Sequence, residues 1–125
     1  MVKSPIANHT TRDLVNAIIE AADDKKADSI VCLDLKELEN AVCQYFIVCN
    51  ANSTTQVGAI ADGVHDKVFE KLGETPWHSE GYENCLWVLL DYGDVVLHVF
   101  QTEQRDFYKL EELWADAKRV SYEQN

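Results

Sequence analysis

Two short apolar runs, Leu86 to Leu90 and Val95 to Phe100, are separated only by Asp91-Tyr92-Gly93-Asp94. This pattern constrains the fold more than any other in the chain. Runs of that length and composition form strands, and so short a glycine-containing link forces them into an antiparallel hairpin. The expected loop is Tyr92-Gly93, with Gly93 permitting the positive φ of a tight turn. A segment rich in aromatics and carboxylates continues to Trp114, and no Lys or Arg occurs from Leu72 through Gln104. Apolar strands whose only charges are acidic suit a basic partner. They suit neither a phosphate ligand nor a nucleic acid.

The rest of the chain supplies elements to pack against that hairpin. Thr10 caps a helix with Asp13 as its carboxylate partner, and Leu14, Val15, Ile18, Ile19 and Ala22 form one apolar stripe. This helix is expected to fade at Asp23-Asp24-Lys25-Lys26. Ser29 to Leu35 and Tyr45 to Cys49 read as strands. The nine residues between them are too few for a parallel crossover, so the two strands are expected to be antiparallel neighbours. Ser53 and Gln56 form a capping box before a second helix, with Val57, Ile60, Ala61, Val64 and Val68 on one face and Gly73 ending it. Gly63 lies inside that helix, where close packing against a strand accounts for it. Thr75 to Gly81 reads as a short edge strand, because Pro76 cannot donate to a ladder. Thr102 caps a helical turn around Arg105 to Lys109. A last helix is expected from Leu110 to about Arg119, with Leu113, Trp114 and Ala117 inward, and residues 121–125 are expected to fray. Residues 1–9 read as a loose arm and 10–120 as a single domain. The order α-β-β-α-β-β-β-α specifies a two-layer α/β domain with a mixed sheet of about five strands.

Composition narrows the function classes. The 125 residues carry 22 acids against 11 bases, a net charge of −11, which disfavours nucleic acid and anionic membrane. There is no apolar run of membrane-spanning length, and the first residues, MVKSPIANHTTRD, have no signal-peptide or transit-peptide character. Cys32, Cys43, Cys49 and Cys85 form no C-x-x-C pair and no metal-ligand spacing with the four histidines. Cys32 and Cys49 sit in apolar runs, as small buried hydrophobes do. A reducing cytoplasm is the expected setting.

Three stretches, CNANSTTQVGAIADGV, Glu80-Gly81 and WVLLDYGDVVLHVFQTEQRDFYKLEELWADA, resemble the Iojap family, the ribosomal silencing factors. The resemblance covers about Thr11 to Val120. Its most specific part is the W-x-x-x-D-x-G-D-x-x-x-H-x-F string followed by R-x-F-Y-x-L-E-x-L-W. One departure is Asn50-Ala51-Asn52, where relatives usually show Thr-Gly before the capping Ser. The resemblance implies a non-catalytic protein with a nucleotidyltransferase-like core, lacking catalytic carboxylates and often homodimeric. It also implies binding to ribosomal protein fourteen of the large subunit, blocking of small-subunit joining, and repression of translation when nutrients are scarce.

On this reading the candidate partner-binding residues are Glu80, Gly81, Trp87, Asp91, Tyr92, Gly93, Asp94, Tyr108, Leu110, Glu111 and Trp114. Several have a plain structural role as well. Trp87 shares a strand face with Leu89 and Asp91, so either packing or an interface would explain it. Asp91 and Asp94 flank a turn that their side chains can support. His98 reads as a satisfied core or cross-strand histidine or as a functional one, and Trp114 as packed on the sheet.

Three other readings compete. A small Mg-dependent nucleotidyltransferase needs converging carboxylates and a Gly-Ser turn, whereas this chain has Asn52-Ser53 and no D-x-D. A Cys85–His78 dyad has only sequence proximity in its favour. An acidic adaptor for some other basic protein fits the composition equally well. No catalytic residue, metal ligand or cofactor is assigned.

Overall fold

The structure, a computed structural model, describes residues 9–122. The elements in chain order are α1 (Thr11–Asp24), β1 (Asp28–Asp34), β2 (Tyr45–Ala51), α2 (Thr54–Leu72) and β3 (His78–Glu80). There follow β4 (Trp87–Asp91), β5 (Val95–Gln101), α3 (Thr102–Tyr108), α4 (Leu110–Leu113) and β6 (Lys118–Tyr122). All six strands form one sheet in the order β3-β4-β5-β2-β1-β6. The central β2–β5 pair is parallel and every other pair is antiparallel, so the sheet is mixed as expected.

Local chemistry sets the helices. Thr10 caps α1 in a reciprocal capping box with Asp13. Ser53 accepts from the Gln56 amide at the start of α2, and Gly73 ends that helix at φ 71. Both long helices lie on one face of the sheet, where Ile18, Ile60, Val64 and Val68 meet Ile47, Val88, Leu90, Leu97 and Val99 in the larger core. A second apolar cluster lies on the other face, built from Val31, Leu33, Phe46, Val48, Val96 and Phe100. Its cover is thin: the loop from Leu35 to Gln44, and α3 with α4. Both faces are therefore apolar, but only one has full helices upon it.

Several details differ from expectation for identifiable reasons. The helix expected over 110–119 is a four-residue turn, α4, and the chain then becomes β6, pairing antiparallel with β1 from Ile30↔Tyr122 to Asp34↔Lys118. Val120 and Tyr122 have strand propensity, and the otherwise unpaired edge of β1 offers backbone partners that helix continuation would forgo. Ser121 and Tyr122 thus belong to a strand rather than a frayed tail, and residues 123–125 lie outside the described residues, as do 1–8 of the expected arm. Leu113, expected inward, is exposed, whereas Trp114 and Ala117 do pack on the second cluster. Gly63 packs not against a strand but beneath the Lys25 side chain, whose carbons lie 2.7 Å from where a Cβ would stand. Thr102 is the first residue of α3, not its cap.

The hairpin loop is also displaced by one residue. The Tyr92 amide donates to the Val95 carbonyl at 2.9 Å, so the two loop residues are Gly93 and Asp94. Gly93 has φ 92, and Asp94 is not among the residues of positive φ. A positive φ at the first loop position alone is the type II′ pattern.

Gly81, just after β3, has φ 94, and a Cβ there would stand 1.9 Å from the Trp87 carbonyl oxygen. Gly58 on α2 has ordinary helical φ and a nearest neighbour, the Cys85 sulfur, at 3.3 Å. Gly81→Ala is expected to cost roughly 2–4 kcal/mol in urea unfolding, and Gly58→Ala to stay within about 1 kcal/mol of the parent. Equal effects at the two positions would refute this account of Gly81.

Candidate functional site

Strand parity decides which predicted residues share a surface. Directly opposed residues of paired strands lie on the same face of a sheet. Trp87↔Phe100, Leu89↔His98 and Asp91↔Val96 place Trp87, Leu89 and Asp91 on the thinly covered face. Glu80↔Leu89 and His78↔Asp91 extend that face to β3. Val88 and Leu90 point the other way and are fully buried under the helices. Trp87 is half-buried, stacked on Phe100 with ring centroids 4.7 Å apart, and Tyr108 lies 5.0 Å to its side. Trp114 meets Phe46 edge-on at 5.6 Å, and Leu110 joins the same cluster. The structure therefore brings Glu80, Trp87, Asp91, Tyr108, Leu110 and Trp114 together.

The other predicted residues lie elsewhere or are already engaged. Tyr92 is buried in the helix-side core, where burial raises its phenol well above the ordinary range, and it presents no contact surface. Asp94 is exposed at the end of the hairpin, accepting from the Thr11 hydroxyl of α1 at 3.2 Å. Its carbonyl receives the Gln44 and Tyr45 amides. Asp91 accepts from the Gly93 amide at 2.8 Å, the turn-supporting role. Gly81 and Gly93 are backbone requirements. Asp91 and Asp94 do not converge, and among the described residues no three His, Cys, Asp or Glu side chains are placed to hold a metal. Cys85 donates to the Tyr82 carbonyl, while His78 faces Glu80 at 3.4 Å.

Glu111 is held from within. Arg105 donates to both its carboxylate oxygens at 2.9 Å, and Arg119 adds a third contact at 3.2 Å. Hydrogen bonds from Arg105 hold the Glu111 carboxyl below its ordinary range, against the opposing effect of burial, with help from the charges of Arg105 and Arg119. The remaining guanidinium nitrogen donates to the Ser29 carbonyl and to Asn50 Oδ1, each at 2.8 Å. Asn50 Nδ2 donates to the Thr102 hydroxyl, which donates on to Asn52 Oδ1. Two residues of the unusual Asn50-Ala51-Asn52 stretch, which closes β2, thus fasten α3 to the sheet. The Asn stretch stood out only as a departure from the family pattern, and Arg105 only as the residue that opens the R-x-F-Y string.

This fastening has a consequence for the next residues. Lys109, in the left-handed region at φ 49, bends α3 into α4. Around that bend Phe107 is 75% exposed, Leu113 76% and Tyr108 49%. Leu113 escaped the sequence reading because helical spacing assigned it to the core, and Phe107 was not singled out. Their exposure becomes visible only once the last helix is known to be four residues long. Carboxylates of Glu103, Asp106 and Glu112 surround them, all exposed.

The family profile described as "Ribosomal silencing factor during starvation" matches residues 8–125. The chain belongs to the ribosomal silencing factor family. It is 41% identical over 114 residues to ribosomal silencing factor RsfS of Halalkalibacterium halodurans, spanning 91% of this chain and 96% of that one. To RsfS of Bacillus subtilis it is 41% identical over 106 residues, 85% of this chain and 88% of the relative. A crystal structure of a Chromobacterium violaceum protein superposes with a TM-score of 0.81 at 38% identity, covering 86% of this chain and 88% of that one. No helix among the described residues is long and apolar enough to cross a membrane.

Two tests follow. His98, buried between Phe46 and Phe100, has its pKa lowered from 6.5 to about 4 by desolvation. The unfolded chain therefore binds the extra proton first as pH falls. Stability from this group is fully present above pH 6.5 and is lost on descending toward about 4. The loss should be on the order of 3 kcal/mol, and His98→Phe should remove that part of the pH dependence of urea unfolding. A slope retained in the variant would assign it to other groups. Arg105→Lys, which cannot reproduce the fork to Glu111, is expected to destabilise by roughly 1–3 kcal/mol in the same measurement at neutral pH. A change within error would show that the fork contributes little.

Proposed function

We propose that this silencing factor docks on ribosomal protein fourteen of the large subunit and keeps the small subunit from joining, so that translation is repressed when nutrients are limiting. The docking surface in this reading is the thinly covered sheet face with the α3–α4 bend. Phe107, Tyr108, Leu113, Trp87 and Leu89 supply apolar contact, and Glu80, Glu103, Asp106 and Glu112 supply the charged rim. One observation carries the reading: large aromatic and aliphatic side chains stand exposed on a stretch, Leu86 to Trp114, with six acids against two bases, Arg105 being turned onto Glu111 and Lys109 lying 3.8 Å from Glu112. Such a surface matches a basic protein face. Buried aromatics would supply the affinity, and the carboxylates would govern the rate and orientation of encounter. Occlusion then needs no bond-making step, since the bulk of the domain stands where the small subunit must come. The reading places the protein in the cytoplasm, with a homodimer through the same apolar surface as its unbound state. Asp94 and Tyr92 lie outside the proposed contact, which narrows the hairpin's share of it to Trp87, Leu89 and Asp91.

Sedimentation of purified subunits tests this directly. The protein should pellet with the large subunit and reduce the fraction of joined ribosomes. Leu113→Asp should weaken that binding by about tenfold or more while leaving the unfolding midpoint unchanged, because the side chain is exposed. Asp94→Ala should bind as the parent does. Absence from the large-subunit pellet would sink the proposal, and undiminished binding by Leu113→Asp would remove the bend from the interface. Association should also slow as salt is raised.

A further inference from the structure

Trp87 and His98 lie diagonally across the β4–β5 pair, with the indole Nε1 donating to His98 Nδ1 at 3.1 Å. An imidazole that accepts at Nδ1 is neutral and must carry its proton on Nε2. That Nε2 is buried and has no hydrogen-bond partner among the described residues. Its surroundings are aromatic, with Phe46 edge-on at 4.6 Å and Phe100 stacked at 6.4 Å. A buried donor without an acceptor works against folding, and an apolar ring of similar shape would avoid that penalty. Packing of the ring alone therefore does not explain a histidine at this position. What only the histidine provides is the acceptor for the indole.

We propose that His98 is a positioning residue for Trp87: by accepting the indole N–H inside the sheet, it fixes the orientation of the ring and leaves only its carbon surface to a docked partner. The inference rests on the docking face proposed above and adds the chemistry of the contact there. Interface tryptophans commonly offer both a ring and a donor. Here the donor is already used. The group that meets Trp87 is then an aliphatic side chain or the cation of a Lys or Arg set against the ring, not a carbonyl or carboxylate seeking the N–H. Phe100 beneath the ring and Tyr108 beside it hold the same orientation from two further sides.

Two measurements decide it. In ¹⁵N-labelled protein, the Trp87 indole N–H should exchange with solvent at least about tenfold more slowly than that of Trp77, which is 80% exposed, and His98→Phe should abolish the difference. Equal exchange in the parent protein would overturn the proposal without reference to any ribosome. A double-mutant cycle then reads large-subunit binding. His98→Phe should weaken binding by about tenfold in the parent background and by less than about twofold in Trp87→Phe, with no fall in the urea midpoint at neutral pH. Equal losses in both backgrounds, or none in the parent, would show that His98 does not act through Trp87. Leu113→Asp separates this from the broader reading. If that variant binds normally, only the bend leaves the interface and the cycle at Trp87 still decides; if the parent protein is absent from the large-subunit pellet, the docking face is refuted and the exchange measurement alone decides the role of His98.

Discussion

The sheet is apolar on both faces, and the chain supplies long helices for only one of them. Burial of apolar area is the dominant favourable term in folding, so a second face lined by Phe46, Val48, Val96 and Phe100 cannot simply be left to water. The remaining chain answers with small pieces: a ten-residue loop, a seven-residue helix and a four-residue turn. Pieces that short cannot bury all their own apolar side chains while covering a sheet. Trp114 and Leu110 go down onto the face, and Phe107 and Leu113 are left standing on the outside. The exposed surface is thus a product of the same shortage that makes α3 and α4 necessary.

Short elements also need fastening, because a helix of two turns has little stability of its own. Arg105 provides it, with bonds to Glu111, Asn50 and the Ser29 carbonyl that tie α3 to α4, to β2 and to β1. The arrangement is polar, yet each member of the chain from Arg105 through Asn50 and Thr102 to Asn52 has a partner. A satisfied network of this kind fixes one geometry where apolar packing alone would permit several. The acidic character of the face coexists with this clamp because the basic groups of Arg105 and Arg119 are turned onto Glu111.

Local signals made much of the fold legible. The capping box of Thr10–Asp13, the Ser53 half of the box expected with Gln56, the glycine stop at Gly73, the antiparallel β1–β2 neighbours and the β4–β5 hairpin all stand where periodicity and turn residues put them. The failures share a cause. Over Leu110 to Tyr122 local propensity was ambiguous, and the free edge of β1, some ninety residues away in sequence, settled it. The hairpin loop moved by one residue because Tyr92, in step with Val88 and Leu90, continues the alternation into the helix-side core and pairs with Val95. The candidate site was legible as a region, through its missing basic residues and its signature string. It was not legible side chain by side chain: Glu111 looked available and is clamped, Leu113 looked structural and is exposed, and Phe107, also exposed, was given no role.

The placement of β6 bears on how the protein is made. β1 is the first strand to emerge during synthesis and β6 the last, yet they are neighbours in the sheet. Until Lys118 to Tyr122 are available, one long backbone edge of β1 has no partner, and the seam between α1 and the sheet margin lacks Val120 and Tyr122. Pairing across so large a sequence separation carries a loop-closure cost that local contacts do not. The domain therefore cannot complete itself strand by strand as it leaves the ribosome. Its final step is the return of the last residues to the beginning, and a chain that ends early keeps an open edge, the feature that most readily recruits other unpaired strands.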